Sequence, residues 1–337
     1  MTIAIGQKND YFLSSHSGRG IITYAKDGLR SINRQILLKG ATDQVRSRII
    51  RNLGIALVDR GYDVEVIHGI FNPDNLEGII IPQLSLALVS AEKHFETKAN
   101  VRVVNIDETR DYEKYLVYKS KIDDLLEQMN VNHELALEEL QQLHLVFENK
   151  CKEGSGLEEG QALYTVEKIL KTLCTLDDGR INHRFGQCLT SRGLIDYYPQ
   201  LLKKCNLKHY LSGISQSNGS GILELVAREA VLKGLIVDVY HNCLDPNLVE
   251  MLILPEMNFA IGIRPFTDEF QKLGFSKSIE KVTAPTFNLK DLDFGDVYKW
   301  LKEVDRLSDQ SCIFYHETLD FLGITRIEKD LLAEILT

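Results

Sequence analysis

The chain contains an internal repeat with an offset of 173 residues. Aligned without a gap, residues 11–89 and 184–262 are identical at 21 of 79 positions. That is several times what unrelated segments would share. A repeat of this length has the size of a whole domain, so the sequence predicts two equivalent halves in one chain. The identical pairs include Gly40 and Gly213, Gly61 and Gly234, His68 and His241, Pro73 and Pro246, Glu77 and Glu250, and Pro82 and Pro255.

The segments outside the repeat have helical character. The stretch between the copies is rich in Glu, Lys, Leu and Gln, with leucines at helical spacing. The glycines at 154–156 are predicted to divide it into two helices. The predicted domains are therefore the first copy at 1–108, a helical insertion at 109–176, the second copy at 177–282 and a C-terminal helical segment at 283–337.

Each copy has the pattern of an α/β domain. A strand, a loop, a helix and a second strand are followed by a single helical turn at 72–73 or 245–246, and by two short apolar strands flanking Pro82 or Pro255. This order predicts an α/β fold with a parallel sheet in each half. The predicted strands are 35–39, 64–68, 208–212 and 237–241, and the predicted helices are 46–60 and 220–233.

Two stretches have the outline of a phosphate loop. GATDQVRS at 40–47 and GISQSNGS at 213–220 begin with the glycine and end with the serine of G-x-x-x-x-G-K-[ST]. Both are predicted to follow a strand and open a helix, as that motif requires. Such a loop surrounds an anion with backbone N–H groups at a helix N-terminus. Neither stretch has the lysine, whose place is taken by Arg46 and Gly219.

The two loops are unequally suited to phosphate. Asp43 brings negative charge into the first loop, and β-branched Val45 disfavours positive φ. Small residues in the second loop favour an anion nest, although the missing lysine contact is worth about 1.5–3 kcal/mol. If one half binds phosphate, we expect the second. The candidate anion-binding residues are Gly213, Ser215, Ser217, Asn218, Gly219 and Ser220, with Gly40, Arg46 and Ser47 in the first half.

Other candidate groups are weaker. Magnesium beside a phosphate loop needs a carboxylate at a neighbouring strand end, where this chain has Ser90 and Ile263. Glu77 and Glu250 are candidates to replace that acid. His68 and His241 end a strand in both copies, and each is either a base at the ligand edge or, more often at such positions, a hydrogen-bonded structural residue. The sequence predicts no metal site.

The repeated segments resemble a group of bacterial tandem P-loop ATPase-like proteins. The resemblance rests on HSGRGIITY, LLKG, RGYDVEVIHG and NPDNLEGIIIPQLSLALV with their second-half partners, and it covers most of the chain. It implies a P-loop NTPase fold in each half, separated by a helical insertion. The family's loop is G-x-P-G-T-G-K-S with an Asp after a later strand, so Arg46, Gly219, Ser90 and Ile263 make both Walker A motifs degenerate and place hydrolysis in doubt.

Three functions remain open on sequence grounds. The first is a degenerate NTPase-like protein with weak or no ATP hydrolysis, which acts through protein partners docked on its helical segments. The second is an active ATPase or nucleotide kinase in which Arg19 or Arg192 replaces the lysine. The third is a regulator whose second loop binds an anion or nucleotide. ATP, ADP or phosphate would be the ligand, with magnesium only alongside nucleotide, and no catalytic residue is assigned.

Charge and composition narrow the class of partner. A net charge of −9 argues against a nucleic-acid backbone as the main partner. The sequence has no apolar run of the roughly 18 residues that span a bilayer, and its start lacks the pattern of a signal peptide. The six cysteines form no C-x-x-C pair, which predicts reduced thiols. We therefore expect a cytoplasmic protein.

Overall fold

The computed structural model describes most of the chain. The described residues are 5–90, 100–153, 164, 167, 169, 171, 179–212, 214–267, 271–274 and 288–337. Two six-stranded sheets and two two-stranded hairpins carry the fold. The predicted second helix of the insertion, after 154–156, lies almost entirely outside the described residues.

The described part of the first half contains eight strands, two helices and the long helix that follows them. Its strands are β1 Lys8–Tyr11, β2 Ser14–Ser17, β3 Gly20–Thr23, β4 Arg34–Lys39, β5 Val64–His68, β6 Leu76–Ile81, β7 Leu86–Ser90 and β8 Asn100–Asn105. Its helices are α1 Ala25–Gly28, α2 Asp43–Val58 and α3 Tyr112–Lys152.

The second half repeats this series and adds two C-terminal helices. Its strands are β9 Arg180–Phe185, β10 Gln187–Thr190, β11 Gly193–Asp196, β12 Leu207–Ser212, β13 Ile236–His241, β14 Val249–Leu254, β15 Phe259–Gly262 and β16 Gln271–Gly274. Its helices are α4 Tyr198–Leu201, α5 Gln216–Leu232, α6 Gly295–His316 and α7 Phe321–Leu336.

The two sheets have the same topology. The first has the strand order β1-β5-β6-β7-β4-β8, and the second has the order β9-β13-β14-β15-β12-β16 when it is followed from its β9 edge. Each strand of the second sheet thus takes the place of the first-sheet strand whose number is lower by eight, so that β9 corresponds to β1 and β13 to β5. The prediction of two equivalent halves is confirmed.

The prediction of parallel sheets is wrong for one strand in each half. Strand β6 runs antiparallel to both β5 and β7, and β14 does the same in the second sheet. The physical reason is the length of the connections. Only residues 69–75 and 82–85 separate these strands in the first half, whereas a parallel connection needs a crossover of a dozen or more residues. The result is a mixed α/β sheet.

Helices α2 and α5 bury equivalent faces against these sheets. Ile49, Ile50, Leu53 and Leu57 of α2 are all buried, at the i, i+1, i+4 and i+8 positions of one helical face. Their repeat partners in α5 are Ile222, Leu223, Val226 and Ala230, and these are also buried. Burial of a large aliphatic side chain contributes about 1.5–3 kcal/mol, so this face holds each helix on its sheet.

The halves meet about a pseudo-twofold axis. Phe12 and Phe185, which are repeat partners, donate their backbone N–H groups to each other's carbonyl oxygens at 3.0 and 2.9 Å. Ser15 and Cys188, another pair of repeat partners, lie with Oγ and Sγ 3.7 Å apart. Contacts between equivalent residues occur only where a symmetry axis passes. The two halves therefore pack as the subunits of a symmetric dimer would.

Each half extends a β-hairpin onto the other. The hairpin β2–β3 lies on the second half, where Gly18 N–H donates to Leu244 O. The hairpin β10–β11 lies on the first half, where Ser191 N–H donates to Phe71 O. After the hairpins, the repeat partners Tyr24 and Tyr197 pack reciprocally across the junction. The ring of Tyr24 contacts those of His183, Phe185 and His241, and the ring of Tyr197 contacts those of Phe12 and His68.

Helices α3 and α6 form an antiparallel pair beside the junction. The 41 residues of α3 give a length of about 60 Å at 1.5 Å per residue. Tyr115 near its start stacks on Tyr315 near the end of α6. From α6, the Asp305 carboxylate accepts hydrogen bonds from Asn72 Nδ2 in the first half and Ser191 Oγ in the second. This pair therefore bridges both halves.

Within the described residues, every helix is too short or too polar to cross a bilayer. The five described cysteines are buried and form no disulfide, while Cys174 lies outside the described residues.

The reciprocal tyrosines should contribute equally to the pairing of the halves. We expect Tyr24→Ala and Tyr197→Ala each to lower the free energy of unfolding by about 2 kcal/mol, because each removes a half-buried ring from an aromatic cluster. Tyr112→Ala is the matched control, since that ring is 65% exposed, and it should change the value by less than about 0.5 kcal/mol. Urea denaturation measures all three. If all three variants changed the free energy of unfolding by the same small amount, the packing of Tyr24 and Tyr197 across the junction would be contradicted.

Candidate functional site

The first candidate loop is shorter than predicted. Helix α2 begins at Asp43, three residues before the predicted start at Arg46. Thr42 is its N-cap, with an extended backbone and an Oγ1 that accepts from Val45 N–H. A threonine cap followed by an acid in the first turn favours helix initiation at this point. Residues expected to wrap a phosphate therefore lie in a helical turn.

Arg46 fills the concave side of this loop. The residue is 3% exposed, and its Nη1 donates to the carbonyl oxygens of Gly40 at 2.7 Å and Ala41 at 3.0 Å. Its Nε donates to Ser90 Oγ at 2.7 Å, and its Nη2 pairs with Asp43. The Asp43 carboxylate thus neutralises the arginine that takes the place of the lysine. Arg46 also ties the loop to the end of β7.

A backbone N–H group of the first loop donates a hydrogen bond to a carboxylate of the same chain. Ala41 N–H donates to Asp107 Oδ1 at 2.7 Å, and that carboxylate also pairs with Arg110. Gly40 has a φ of +74°, and a Cβ there would lie 2.4 Å from Asp107 Cγ. Glycine is needed here for both reasons. Sequence reasoning missed Asp107; its only signal is an acid two residues after β8, at the carboxyl end of a strand.

The second candidate loop is covered by the end of α3. Helix α5 begins at Gln216, four residues before the predicted start, and Ser215 Oγ caps it by accepting from Asn218 N–H at 3.3 Å. Ser217 Oγ donates to Cys151 O at 3.2 Å, and Cys151 Sγ donates to Gln216 Oε1 at 3.3 Å. Burial, followed by the charge of nearby acids, raises the pKa of the Cys151 thiol to about 12, which keeps it a donor. Gly213 lies outside the described residues.

The expected anion nest is absent from the described part of the second loop. Ser217, Asn218, Gly219 and Ser220 all lie in the helix. Gly219 donates its N–H to Ser215 O at 2.9 Å as part of that helical turn. These four residues therefore have helical backbone, because Ser215 caps the helix early. Anion binding by the nine candidate residues stays a prediction.

The two halves differ at the position where the phosphate-loop motif has its lysine. In the first half, buried Arg46 hydrogen bonds to Ser90. In the second half, the repeat partners of these residues are Gly219 and Ile263, and a Cβ on Gly219 would lie 3.0 Å from Ile263 Cγ2. The polar Arg46–Ser90 pair of the first half therefore corresponds to an apolar contact in the second half.

The loop serines have the same structural role in both halves. Ser47 Oγ accepts from Leu76 N–H, and Ser220 Oγ accepts from Val249 N–H, each at 2.8 Å. Each bond ties the first turn of a helix to the start of the antiparallel strand. The hydroxyl that would bind magnesium in a phosphate loop is thus committed to the backbone here.

The histidines at the strand ends lie in the junction between halves. His68 Nδ1 is 2.7 Å from Pro73 O and its Nε2 is 2.8 Å from Asp10 Oδ1. His241 Nδ1 is 2.7 Å from Pro246 O and its Nε2 is 2.8 Å from His183 Nδ1. Both nitrogens of each ring are engaged. This arrangement favours the structural alternative over a catalytic base.

The electrostatics differ between these two equivalent positions. Burial would raise the pKa of Asp10, but its hydrogen bond to His68 and the charge of that ring lower it. Burial, followed by the neighbouring His183, lowers the pKa of His241 to about 4. The first half therefore has an acid beside its histidine, and the second half has a neutral histidine pair.

The repeat-matched glutamates both lie in antiparallel strands rather than in a helical turn. Glu77 is half-buried in β6. Glu250 is buried in β14, where its carboxylate accepts from Tyr198 OH at 3.1 Å and Asn242 Nδ2 at 2.8 Å and lies 3.6 Å from Arg264 Nη2. Because it binds Tyr198, this carboxylate connects strand β14 of the second sheet to the segment that follows β11.

The repeated arginines reach the other half's turn rather than a candidate loop. Arg192 Nη2 pairs with Asp74 at 3.2 Å. In the orientation that satisfies both groups, the Asn247 amide oxygen accepts from Arg19 at 2.7 and 3.0 Å. Asp74 and Asn247 are repeat partners, so these contacts are reciprocal as well. Arg19 and Arg192 hold the hairpin tips in place.

The described residues show no metal site: nowhere among them do three His, Cys, Asp or Glu side chains come together in a suitable arrangement. The chain matches no protein-family model, no curated protein and no solved structure. The site is therefore interpreted from its own geometry.

The neutral histidine pair should make the fold sensitive to acid. The pKa of His241 is about 4 in the folded protein and about 6.5 when unfolded. As the pH falls, this histidine is therefore protonated in the unfolded chain before it is protonated in the folded protein. Because of this, the free energy of unfolding should fall by about 1–3 kcal/mol for this residue as the pH drops from about 6.5 to about 4.

His16, which is fully buried, also has its pKa lowered to about 4, so each residue contributes part of this loss. His241→Asn keeps a donor for Pro246 O and removes one titration. Urea denaturation at a series of pH values should therefore show a shallower slope for the variant below pH 6.5. The same slope in both proteins would contradict the assignment.

Proposed function

We propose that the chain is a degenerate tandem P-loop NTPase-like protein that does not hydrolyse ATP efficiently and acts through protein contacts. The observation that carries this proposal is the closure of the first loop by its own chain. Asp107 accepts the N–H of Ala41, and the guanidinium of Arg46 binds the loop carbonyls. The order of a strand, a glycine and a helix in both halves supports descent from a P-loop NTPase-like protein.

The energetics disfavour nucleotide in the first loop. A phosphate there would have to replace the Asp107 carboxylate and separate Arg46 from its partners. Hydrogen bonds to charged groups contribute about 1.5–3 kcal/mol each, and several would be broken. The Ser90 hydroxyl stands where the metal-binding acid would be needed, so magnesium offers little compensation.

The second loop is disfavoured for a different reason. Gly219 and Ile263 leave it without a cation, and the last turn of α3 covers its helix N-terminus through Cys151. The remaining alternative of an anion or nucleotide regulator at this loop requires α3 to move aside. The alternative of an active ATPase or kinase would use Arg19 or Arg192, and both of these bind the turns of the opposite half instead.

The helical segments offer a surface for a protein partner. The first part of α3 projects large apolar side chains into solvent, including Leu116, Val117 and Val131, and Ile313 does the same on α6. These exposed apolar side chains on one helix pair support a contact surface there. We place this protein in the cytoplasm and propose these helices as its partner site.

Restoring the lysine should not restore nucleotide binding. We expect wild type and Arg46→Lys to show no magnesium-dependent ATP turnover and no heat of ATP binding at millimolar concentration, because α2 starts too early to leave a phosphate cradle. Arg46→Lys should lower the free energy of unfolding by about 1–3 kcal/mol through lost hydrogen bonds.

Arg60→Lys, at an exposed position two residues after α2, is the matched control for stability and should change it by less than about 0.5 kcal/mol. Steady-state ATPase assays and calorimetry check the rest. Magnesium-dependent turnover that a mutation in residues 213–220 abolishes would overturn the proposal.

A further inference from the structure

The outward face of helix α3 carries a regular series of exposed apolar side chains. Val117, Val131 and Leu145 are 76%, 56% and 62% exposed, and they recur at intervals of 14 residues, which is two heptads. Residues two heptads apart lie close to one line along an α-helix. The three side chains therefore form one stripe, which runs from residue 117 to residue 145 and extends over about 42 Å at 1.5 Å per residue.

This stripe lies opposite the side of α3 that packs within the protein. Ile122 and Ala136 are buried on the packed side, and the ring of Tyr118, one turn before Ile122, contacts the ring of Phe314 in α6. Val131 follows Ile122 by nine residues, which is two and a half helical turns. Its side chain therefore lies on the opposite side of the helix, where more than half of its surface is in contact with solvent.

Acidic residues alternate with these apolar side chains in the same heptad pattern. An acid follows each of the first two apolar residues by seven positions, Asp124 in one case and Glu138 in the other, and Glu127 and Glu134 lie at the d positions of the same heptads. All four are exposed. With the three apolar residues they form what we call the outer stripe. A face with a and d spacing is the pattern through which one helix contacts a second helix.

The negative charge of the outer stripe is not neutralised by salt bridges in the described part of the chain. Residues 122–149 contain seven acids and neither lysine nor arginine. The salt bridges within α3 lie towards its two ends, as in Lys119–Asp123 and Lys152–Glu148. Like charges three or four residues apart, such as Glu134 and Glu138, destabilise a helix. A cationic partner along this face would offset that repulsion.

We propose that the outer stripe binds a basic amphipathic helix of a protein partner. Apolar side chains of the partner pack on Val117, Val131 and Leu145, and its lysines or arginines pair with the acids between them. This inference rests on the proposed function, which places a protein partner on these helices, and it specifies the chemistry of that partner. The acidic stripe repels the phosphates of nucleic acids and of anionic lipids, so it disfavours both as ligands.

Fluorescence anisotropy of the full chain with labelled synthetic peptides tests the inference. The probe is a helical peptide with three leucines spaced by two heptads, lysine at its other a and d positions and alanine elsewhere. One control peptide has glutamate in place of each lysine, and a second has the composition of the probe in scrambled order. The lysine peptide should bind saturably with one peptide per chain, and both control peptides should bind at least about tenfold more weakly.

Variants of the chain identify the face that binds. Glu138→Lys should weaken binding of the lysine peptide about tenfold, because it replaces attraction by repulsion. Val131→Ser should weaken it about threefold through lost apolar contact. Their matched controls are Glu229→Lys and Leu232→Ser, at exposed positions of α5, and these should leave the affinity unchanged within about twofold. Circular dichroism checks that all four variants keep the helical content of the wild type.

Failure of the lysine peptide to bind would overturn the inference. Equal binding of the scrambled peptide, or equal weakening by Glu138→Lys and Glu229→Lys, would overturn it as well, because the attraction would then come from the net charge of the chain and not from the outer stripe. Magnesium-dependent ATP turnover would instead contradict the closed loops of the proposed function, so the two failures are distinguishable.

Discussion

The pairing of equivalent residues across a pseudo-twofold axis is the contact on which this structure depends. The mutual backbone hydrogen bonds of Phe12 and Phe185 fix the two sheets in one relative position. The hairpins then pack on the opposite halves, and Tyr24 and Tyr197 fill the space beside the strand-end histidines. Neither half completes its own junction surface, so the duplication is a requirement of the fold and not two domains joined by a linker.

The same scaffold has taken two different routes to closed loops. In the first half, the Asp43 carboxylate neutralises Arg46, and Asp107 accepts a hydrogen bond from the N–H of Ala41. In the second half, Gly219 and Ile263 replace the polar pair, and the last turn of α3 supplies the acceptor through Cys151. The shared serine of each loop binds a strand backbone.

The sequence predicted the repeat and the order of the elements from β4 to β7 and from β12 to β15, because these follow from local periodicity and from comparing one copy with the other. It did not predict the hairpins or the edge strands β1, β8, β9 and β16. The antiparallel β6 could have been deduced as well, since the four residues at 82–85 cannot cross a sheet. The early helix starts were missed although Thr42 and Ser215 are favourable N-caps, because the outline of the phosphate motif was given more weight. Asp107 and Cys151 could not be found, since their contacts join residues 66 positions apart.

Hydrogen exchange at the two loops tests their closure most directly. In the absence of ligand, the amides of Ala41, Arg46 and Gly219 should exchange slowly, because each donates a hydrogen bond within the chain, and adding magnesium and ATP should leave their rates unchanged. Rapid exchange of these amides in the free protein, followed by protection on addition of magnesium and ATP, would show that the loops are open and bind nucleotide.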